Sequence, residues 1–314
     1  MVYSGNRFRA ATSKTRKQSG WIPALIAVVV LLTVGSLLFA FTNGFGLLTQ
    51  VNIQRELVDL WHQGDYQAVV RQAELLLDQT PMQAYPLVFG GFGHFYYGMQ
   101  QVDRELRSDH LESAVRMLRK AHLMQQQPLQ AESHYILAKA YYHLGEFYFD
   151  SAVEHMQRAI ELGLVRPDSY EYLALAYDGL GMHRQSIENY QKAIAAQPGD
   201  LLYAELAGVH HRSEQYADAE RYYRLALESS EDPHLMQRIR RQLGLVLLEQ
   251  EQFDQAGQQF RTILEESPGS ADAHYYLGQT YLQRGDRERA RFEWREAIRL
   301  DPRHEAALRA LRGN

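Results

Sequence analysis

Thirteen histidines and no cysteine bound the side-chain chemistry open to this 314-residue chain. Without a thiol there is no disulfide framework, no thiolate metal site and no cysteine nucleophile. The histidines invite a metal ion, but their spacing does not gather one. His210 and His211 are adjacent, and neighbours on a helix point about 100° apart, so they share an ion only with difficulty. His134 and His274 sit near the starts of helical stretches and read as framework. Neither the metalloprotease His-Glu-x-x-His, a Walker-type Gly-Lys-Ser/Thr, Gly-x-Ser-x-Gly nor a kinase signature set occurs. FGGFGHFYYG, Phe89 to Gly98, has the glycines of a phosphate loop but lacks the preceding strand that gives a dinucleotide fingerprint its meaning. Its glycine-spaced aromatics fit a tightly packed helix instead. These residues predict no enzyme, no catalytic residue, no metal site and no cofactor.

The charge pattern says more about the elements that carry these residues. The net charge of −5 divides unevenly, because Arg7, Arg9, Lys14, Arg16 and Lys17 make residues 1–20 a +5 tail and leave −10 on the remainder. An acidic body is a poor nucleic-acid binder, since affinity there comes mostly from neutralising phosphates. No charged side chain occurs between Lys17 and Arg55, and Trp21 to Phe41 reads WIPALIAVVVLLTVGSLLFAF. As a helix this run is about 30 Å long, the thickness of the hydrocarbon layer. It is longer than a signal-peptide core and lacks a small-x-small cleavage site, and no polar face marks it as a core helix. A transmembrane helix is therefore expected over 21–43. Five cations before it and none from Thr42 to Gln54 predict a cytoplasmic N-terminus, with the rest of the chain outside. In a two-membrane bacterium that places the C-terminal body in the periplasm, on an inner-membrane anchor.

The C-terminal half repeats at about 34 residues, the kind of period that signals stacked supersecondary units. The clearest copies are YEYLALAYDGLGMHRQSIENYQKAIAAQP, Tyr170 to Pro198, and HYYLGQTYLQRGDRERARFEWREAIRLDP, His274 to Pro302. In each, a Leu plus small residue (Leu173-Ala174, Leu277-Gly278) is followed by an aromatic (Tyr177, Tyr281), a turn glycine (Gly181, Gly285), a small residue (Ser186, Ala290), a second aromatic (Tyr190, Trp294) and Ala193 or Ala297. Apolar residues three and four apart share one helical face, so each half is an amphipathic helix. Small residues let the two helices approach, aromatics fill the space, and glycine supplies the left-handed turn. Asp200 and Ser270 are expected to cap the helices that follow Pro198-Gly199 and Pro268-Gly269. Weaker copies place Glu214 and Glu251 where the turn glycine belongs, and another carries two extra residues, Tyr148 and Phe149. The first units, 50–128, are degenerate, with a charged connection expected around Asp103 to Asp109.

This pattern resembles the tetratricopeptide repeat over residues 50–302, about four-fifths of the chain. The resemblance implies an all-α fold: a right-handed superhelical solenoid of antiparallel helix hairpins, about seven units, closed by a capping helix over 303–314. It also implies a concave groove lined by the first helix of each hairpin. The groove residues it picks out are Tyr135, Lys139, Tyr142, His143, Glu171, Leu175, Asp178, His211, Arg241, Tyr275 and Gln279. The Lys and Asn clamp that some relatives use for a C-terminal carboxylate is absent, since only Lys139 and Arg241 are cationic there. An extended peptide or partner helix laid on the aromatics is expected, with self-association left open. The expected role is a non-enzymatic, membrane-anchored scaffold of a cell-envelope complex, in secretion, the flagellar motor periphery, cell-wall synthesis or cytochrome assembly. A cytoplasm-facing assembly or import receptor and a periplasmic holdase are the alternatives.

Overall fold

The computed structural model describes residues 55–313, so the basic tail and the expected span over 21–43 lie outside the described residues. Of two compact units, Met1–Asp59 and Leu60–Asn314, the second holds nearly all the described helices. Every regular element among the described residues is a helix, and none of those helices is long and apolar enough to cross a membrane. In order they are α1 (55–62), α2 (Tyr66–Gln79), α3 (Ala84–Met99), α4 (Arg104–His122), α5 (Gln130–Leu144), α6 (Phe149–Glu161), α7 (Ser169–Gly179), α8 (His183–Ala196), α9 (Asp200–Arg212), α10 (Tyr216–Ser229), α11 (Pro233–Glu249), α12 (Phe253–Glu266), α13 (Ala271–Gln283), α14 (Arg287–Leu300) and α15 (Glu305–Gly313). Helices pair as hairpins from α3–α4 to α13–α14, and the second helix of each hairpin packs on the first helix of the next. First helices also meet directly, α3 with α5, α5 with α7 and α9 with α11. This is a solenoid, in which each unit buries its apolar face against its neighbours.

Residue size sets how closely a hairpin closes. Trp294 of α14 lies on the backbone of α13 at Gly278, where an added Cβ would come within 2.5 Å of the indole nitrogen. Its Nε1–H donates to the Tyr275 carbonyl at 3.3 Å. Phe260 of α12 meets α11 in the same way, with a Cβ at Gly244 only 2.6 Å from the ring. Both aromatics are fully buried, so the small residue and the large one act as a matched pair.

The hairpin turns from α7–α8 to α13–α14 are built from one set of bonds. In α7–α8 the Met182 N–H reaches the Tyr177 carbonyl and the Gly181 N–H the Asp178 carbonyl, with Gly181 at φ 71°. That is the pattern in which a left-handed residue closes a helix C-terminus. The Gln215 and Gln252 amides repeat it onto His210 and Leu247, although Glu214 and Glu251 hold the left-handed position at φ 58° and 56°. The fold imposes the turn on a residue that disfavours it, at a cost of about 1–2 kcal/mol for a side chain in that region.

Two local expectations are corrected. The helix-joining segment is only Gln100 to Asp103, because the Asp103 carboxylate accepts the amides of Glu105 and Leu106 and starts α4, leaving Asp109 inside the helix. Asp200 is the first residue of α9 and Gly199 its cap, with no side-chain capping bond, whereas Ser270 accepts from the Ala273 amide as expected. The insertion after Gly145 forms a 3-10 turn, Glu146–Tyr148. Within it Phe147 is 87% exposed, while Phe149 begins α6, stacks on Tyr142 at 5.6 Å and presses on Gly179 of α7.

Histidines tie the first hairpins together. His94 meets His110 and His134 meets His155 at 2.9 Å between Nδ1 atoms, each pair bridging the two helices of one hairpin. The His122 ring lies 4.3 Å from that of His134. Burial first, then the neighbouring cationic forms, pushes His94, His122 and His134 down to about 4 and lowers His155. A folded pKa below the ordinary 6.5 means that the unfolded chain binds more protons between about 6.5 and 4. Stability is thus fully present above that window and falls as pH drops through it. The urea midpoint at pH 5 should lie below that at pH 7, and replacing His134 and His155 together with Gln should flatten the difference. Separately, Glu251→Gly should raise the urea midpoint by about 1 kcal/mol equivalent, relieving the left-handed side chain.

Candidate partner-binding groove

Lys139 and Asp168 are the hub of the face formed by the first helices. Asp168 stands just before α7, at its cap position, but its carboxylate makes no capping bond. It accepts instead from the Tyr135 hydroxyl at 2.6 Å and from Lys139 Nζ at 2.8 Å. The ammonium lies 4.7 Å from the Tyr172 ring centroid, 5.1 Å from Tyr135 and 5.8 Å from Phe95, a cation held by three rings and one carboxylate. Burial and the hydrogen bond to Asp168 push the Tyr135 phenol well above its ordinary value. His143 adds Nε2 at 3.0 Å from the Tyr172 hydroxyl, and burial followed by Lys139 lowers it to about 4, a neutral ring at pH 7.

Beside this hub a cavity of about 560 Å³ opens between Trp61, α3, α5 and the segment before α7. Trp61, Phe92, Tyr96 and Tyr135 wall it, with Glu132 and Arg166 among its polar groups. Trp61 packs against Phe92 at 5.7 Å and Tyr96 at 5.4 Å, and Tyr96 stacks on Tyr66 at 5.1 Å. Rings that brace one another leave a preformed apolar pocket, of the size ligand and side-chain sites have.

The expected groove residues do not form one row. Tyr135, Lys139 and His143 join in the network around Asp168 and Tyr172, and Tyr135 is only 8% exposed, so its hydroxyl serves the fold. Tyr142 follows, half-buried and edge-on to Tyr172 at 5.3 Å. Burial and then Asp168 raise Glu171 above the usual carboxylate range. Leu175 packs on the core around Tyr190 and Leu206. Asp178 is taken by Arg212 and by His183 at 3.4 Å. His211 and Arg241 line a second cavity of about 330 Å³ with Glu205 and Arg238, and Arg241 leans on Asp272 at 3.5 Å. Tyr275 accepts from the Gln279 amide at 3.0 Å and lies tilted against His304 at 5.2 Å, on the α15 side of the solenoid. Both expected groove cations thus have internal partners.

Asp168, Tyr172, Trp61, Phe92 and Tyr96 escaped the sequence reading. Asp168 lies ahead of the helical register that marks groove positions, although Pro167-Asp168 is a helix-start signal that points to it. Trp61 and the α3 aromatics sit in units too degenerate to align. Among the described residues no group of three or more His, Asp and Glu side chains converges to hold a metal. Asp168→Ala should destabilise the chain by about 2 kcal/mol by leaving Lys139 unpaired among rings. Asp168→Asn, which still accepts from Tyr135, should lose less, both read from urea unfolding.

Comparison with known proteins agrees with this geometry. Residues 167–200 and 247–314 each match a tetratricopeptide repeat model. A TPR repeat-containing protein of Methanocaldococcus jannaschii is 24% identical over 171 residues, covering 54% of this chain and 30% of that protein. Tetratricopeptide repeat protein 13 of Homo sapiens is 27% identical over 130 residues, 41% of this chain and 15% of its own length. The chain therefore spans less than a third of these curated relatives. Among solved structures, the C-terminal part of a TPR repeat-containing protein from Cytophaga hutchinsonii superposes with a TM-score of 0.62 at 15% identity, over 82% of this chain and 99% of that one. A MamA fragment from Desulfovibrio magneticus gives 0.50 at 15% identity, over 56% and 97%. At such identities the likeness is one of fold.

Proposed function

Since the chain belongs to the tetratricopeptide-repeat family, we propose that it is a non-enzymatic scaffold that holds a partner protein along the face of its first helices. The observation that carries this reading is the ring-walled cavity beside Tyr135 and Tyr96, preformed and open. Aromatic anchors seated in such pockets dominate protein-binding energy. The rest of that face is polar and mostly satisfied internally, which favours one defined partner segment over a broad apolar surface for unfolded clients.

The anchor belongs to the same proposal. The charge-free run from 18 to 54 supports a single bilayer span over 21–43. The +5 tail before it supports a cytoplasmic N-terminus. With that topology the solenoid serves an envelope complex on the periplasmic side of a bacterial inner membrane.

Two measurements test the two halves. A reporter active only outside the cytoplasm, fused after Asn314, should be active, and a stable but inactive fusion would reverse the topology. A photo-crosslinking residue at Tyr142 should capture a protein in intact cells, while one at Phe292 on α14, 58% exposed, should not. Capture at Phe292 alone would move the interface to the second helices.

A further inference from the structure

Arginines gather where α9 and α11 meet. A cavity of about 330 Å³ there is lined by Arg212, Arg238 and Arg241, with Glu205 as the only acid in that lining. Burial lowers His211, the other basic residue of the lining, so it adds no charge at pH 7. Three guanidiniums against one carboxylate reverse the balance of the chain after residue 20, which carries −10.

Distances bring the donors into the cavity. A Cβ added at Gly208 on α9 would lie 3.4 Å from Arg212 Nη1 and 3.7 Å from the Tyr223 hydroxyl. Arg212 spends Nε and Nη2 on Asp178, so Nη1 is the nitrogen left to the cavity. The bare Gly208 keeps the floor open, as glycine does where a ligand approaches backbone. Arg241 is held loosely, 3.5 Å from Asp272, which His304 also engages at 3.1 Å. Arg238 is exposed and has no hydrogen bond or ion pair among the described residues. Arg238 and Arg241, three residues apart and so on one face of α11, also line a second cavity of about 170 Å³ against the start of α13. A guanidinium presents five N–H donors in a planar fork that matches a carboxylate, and most of those in this set are unspent.

We propose that these adjoining cavities take the side-chain carboxylates of an acidic, extended segment of the partner protein, laid across α11 between α9 and α13. The inference rests on the scaffold reading above and adds the partner's charge to it. Two cavities that share two arginines suit two anionic side chains on one connected chain better than a single small anion. The −10 body disfavours nucleic acid as the source of that charge. A Lys and Asn clamp would hold one terminal carboxylate, whereas this site reads internal acids, and Glu205 limits how tightly they bind.

The test uses the full chain in detergent micelles and titration calorimetry with N-acetylated, C-amidated decapeptides that alternate Gly with Glu, Gln or Lys. The Glu peptide should bind about tenfold more tightly than the Gln peptide, and the gap should narrow as salt rises. The Lys peptide should bind least. Arg238→Gln should remove most of the Glu preference without lowering the melting temperature, because Arg238 has no partner to lose. Glu205→Gln should tighten the Glu peptide about twofold and leave the Gln peptide unchanged, since it removes a like charge from the cavity. Arg284→Gln, outside both cavities, should change neither. Equal binding of Glu and Gln peptides, or a Glu preference that survives Arg238→Gln with Arg241→Gln, would overturn the inference, and a crosslink at Tyr142 would then leave the groove reading standing. Equal binding together with no crosslink at Tyr142 would overturn both.

Discussion

From α7–α8 onward each hairpin closes because a large ring on the second helix packs on a strip of the first that has little or no side chain, a place that Leu118 and Met117 take over Gly91 and Gly90 in α3–α4. Trp294 on Gly278 and Phe260 on Gly244 leave no room for even a methyl group. Tyr190 and Tyr223 do the same work on the alanine-bearing strips of α7 and α9. Interiors are packed to crystal-like density, so a contact this tight fixes the separation and rotation of both helices. Once those are fixed, the faces are fixed. The residues between the small strip and the next turn point away from the partner helix, toward the first helices of neighbouring hairpins.

That geometry explains why the groove is mostly self-satisfied. Part-buried charges need partners, and stacked first helices bring residues one repeat apart within reach. Lys139 finds Asp168, Asp178 finds Arg212 and Arg241 finds Asp272, across separations of 29, 34 and 31 residues. These pairs bind hairpin to hairpin, where the solenoid depends on nearest-neighbour contacts alone. Charges left out of the pattern, Glu171, Glu205 and Arg238, stand out against it. The Phe149 insertion adds one non-repeating wedge, holding α6 against α7 at Gly179 while turning Phe147 outward.

The repeat was legible because its signals are local. Leu277-Gly278, Gly285 and Trp294 recur at the same spacing as Leu173-Ala174, Gly181 and Tyr190, and each type has one physical job. Legibility failed where a job was done by an unsuited residue or by one outside the register. Glu214 and Glu251 adopt a glycine's backbone because the two turn hydrogen bonds and the packed helices on either side outweigh the local preference. Asp168 carries the signature of a cap and serves as a counter-ion, since Lys139 and Tyr135 compete for its oxygens more strongly than the α7 amides do. The Trp61, Phe92 and Tyr96 pocket arises in units whose small positions have drifted, so no alignment of repeats points to it.

The sequence by itself determined the helical period, the small-and-large pairs that close the hairpins from α7–α8 onward, and the charge-free run that separates a basic tail from an acidic body. Those are properties of residue size and order along one or two helices. Only the tertiary structure decided which groove side chains are spent and which are free. That outcome depends on rotamers and approach distances between helices a full repeat apart, where a shift of an ångström exchanges an ion pair for an unpaired charge. Tyr135, which the repeat register assigns to the groove, spends its hydroxyl on Asp168 while it walls the cavity beside it, and Arg241, the other groove cation with Lys139, leans on Asp272.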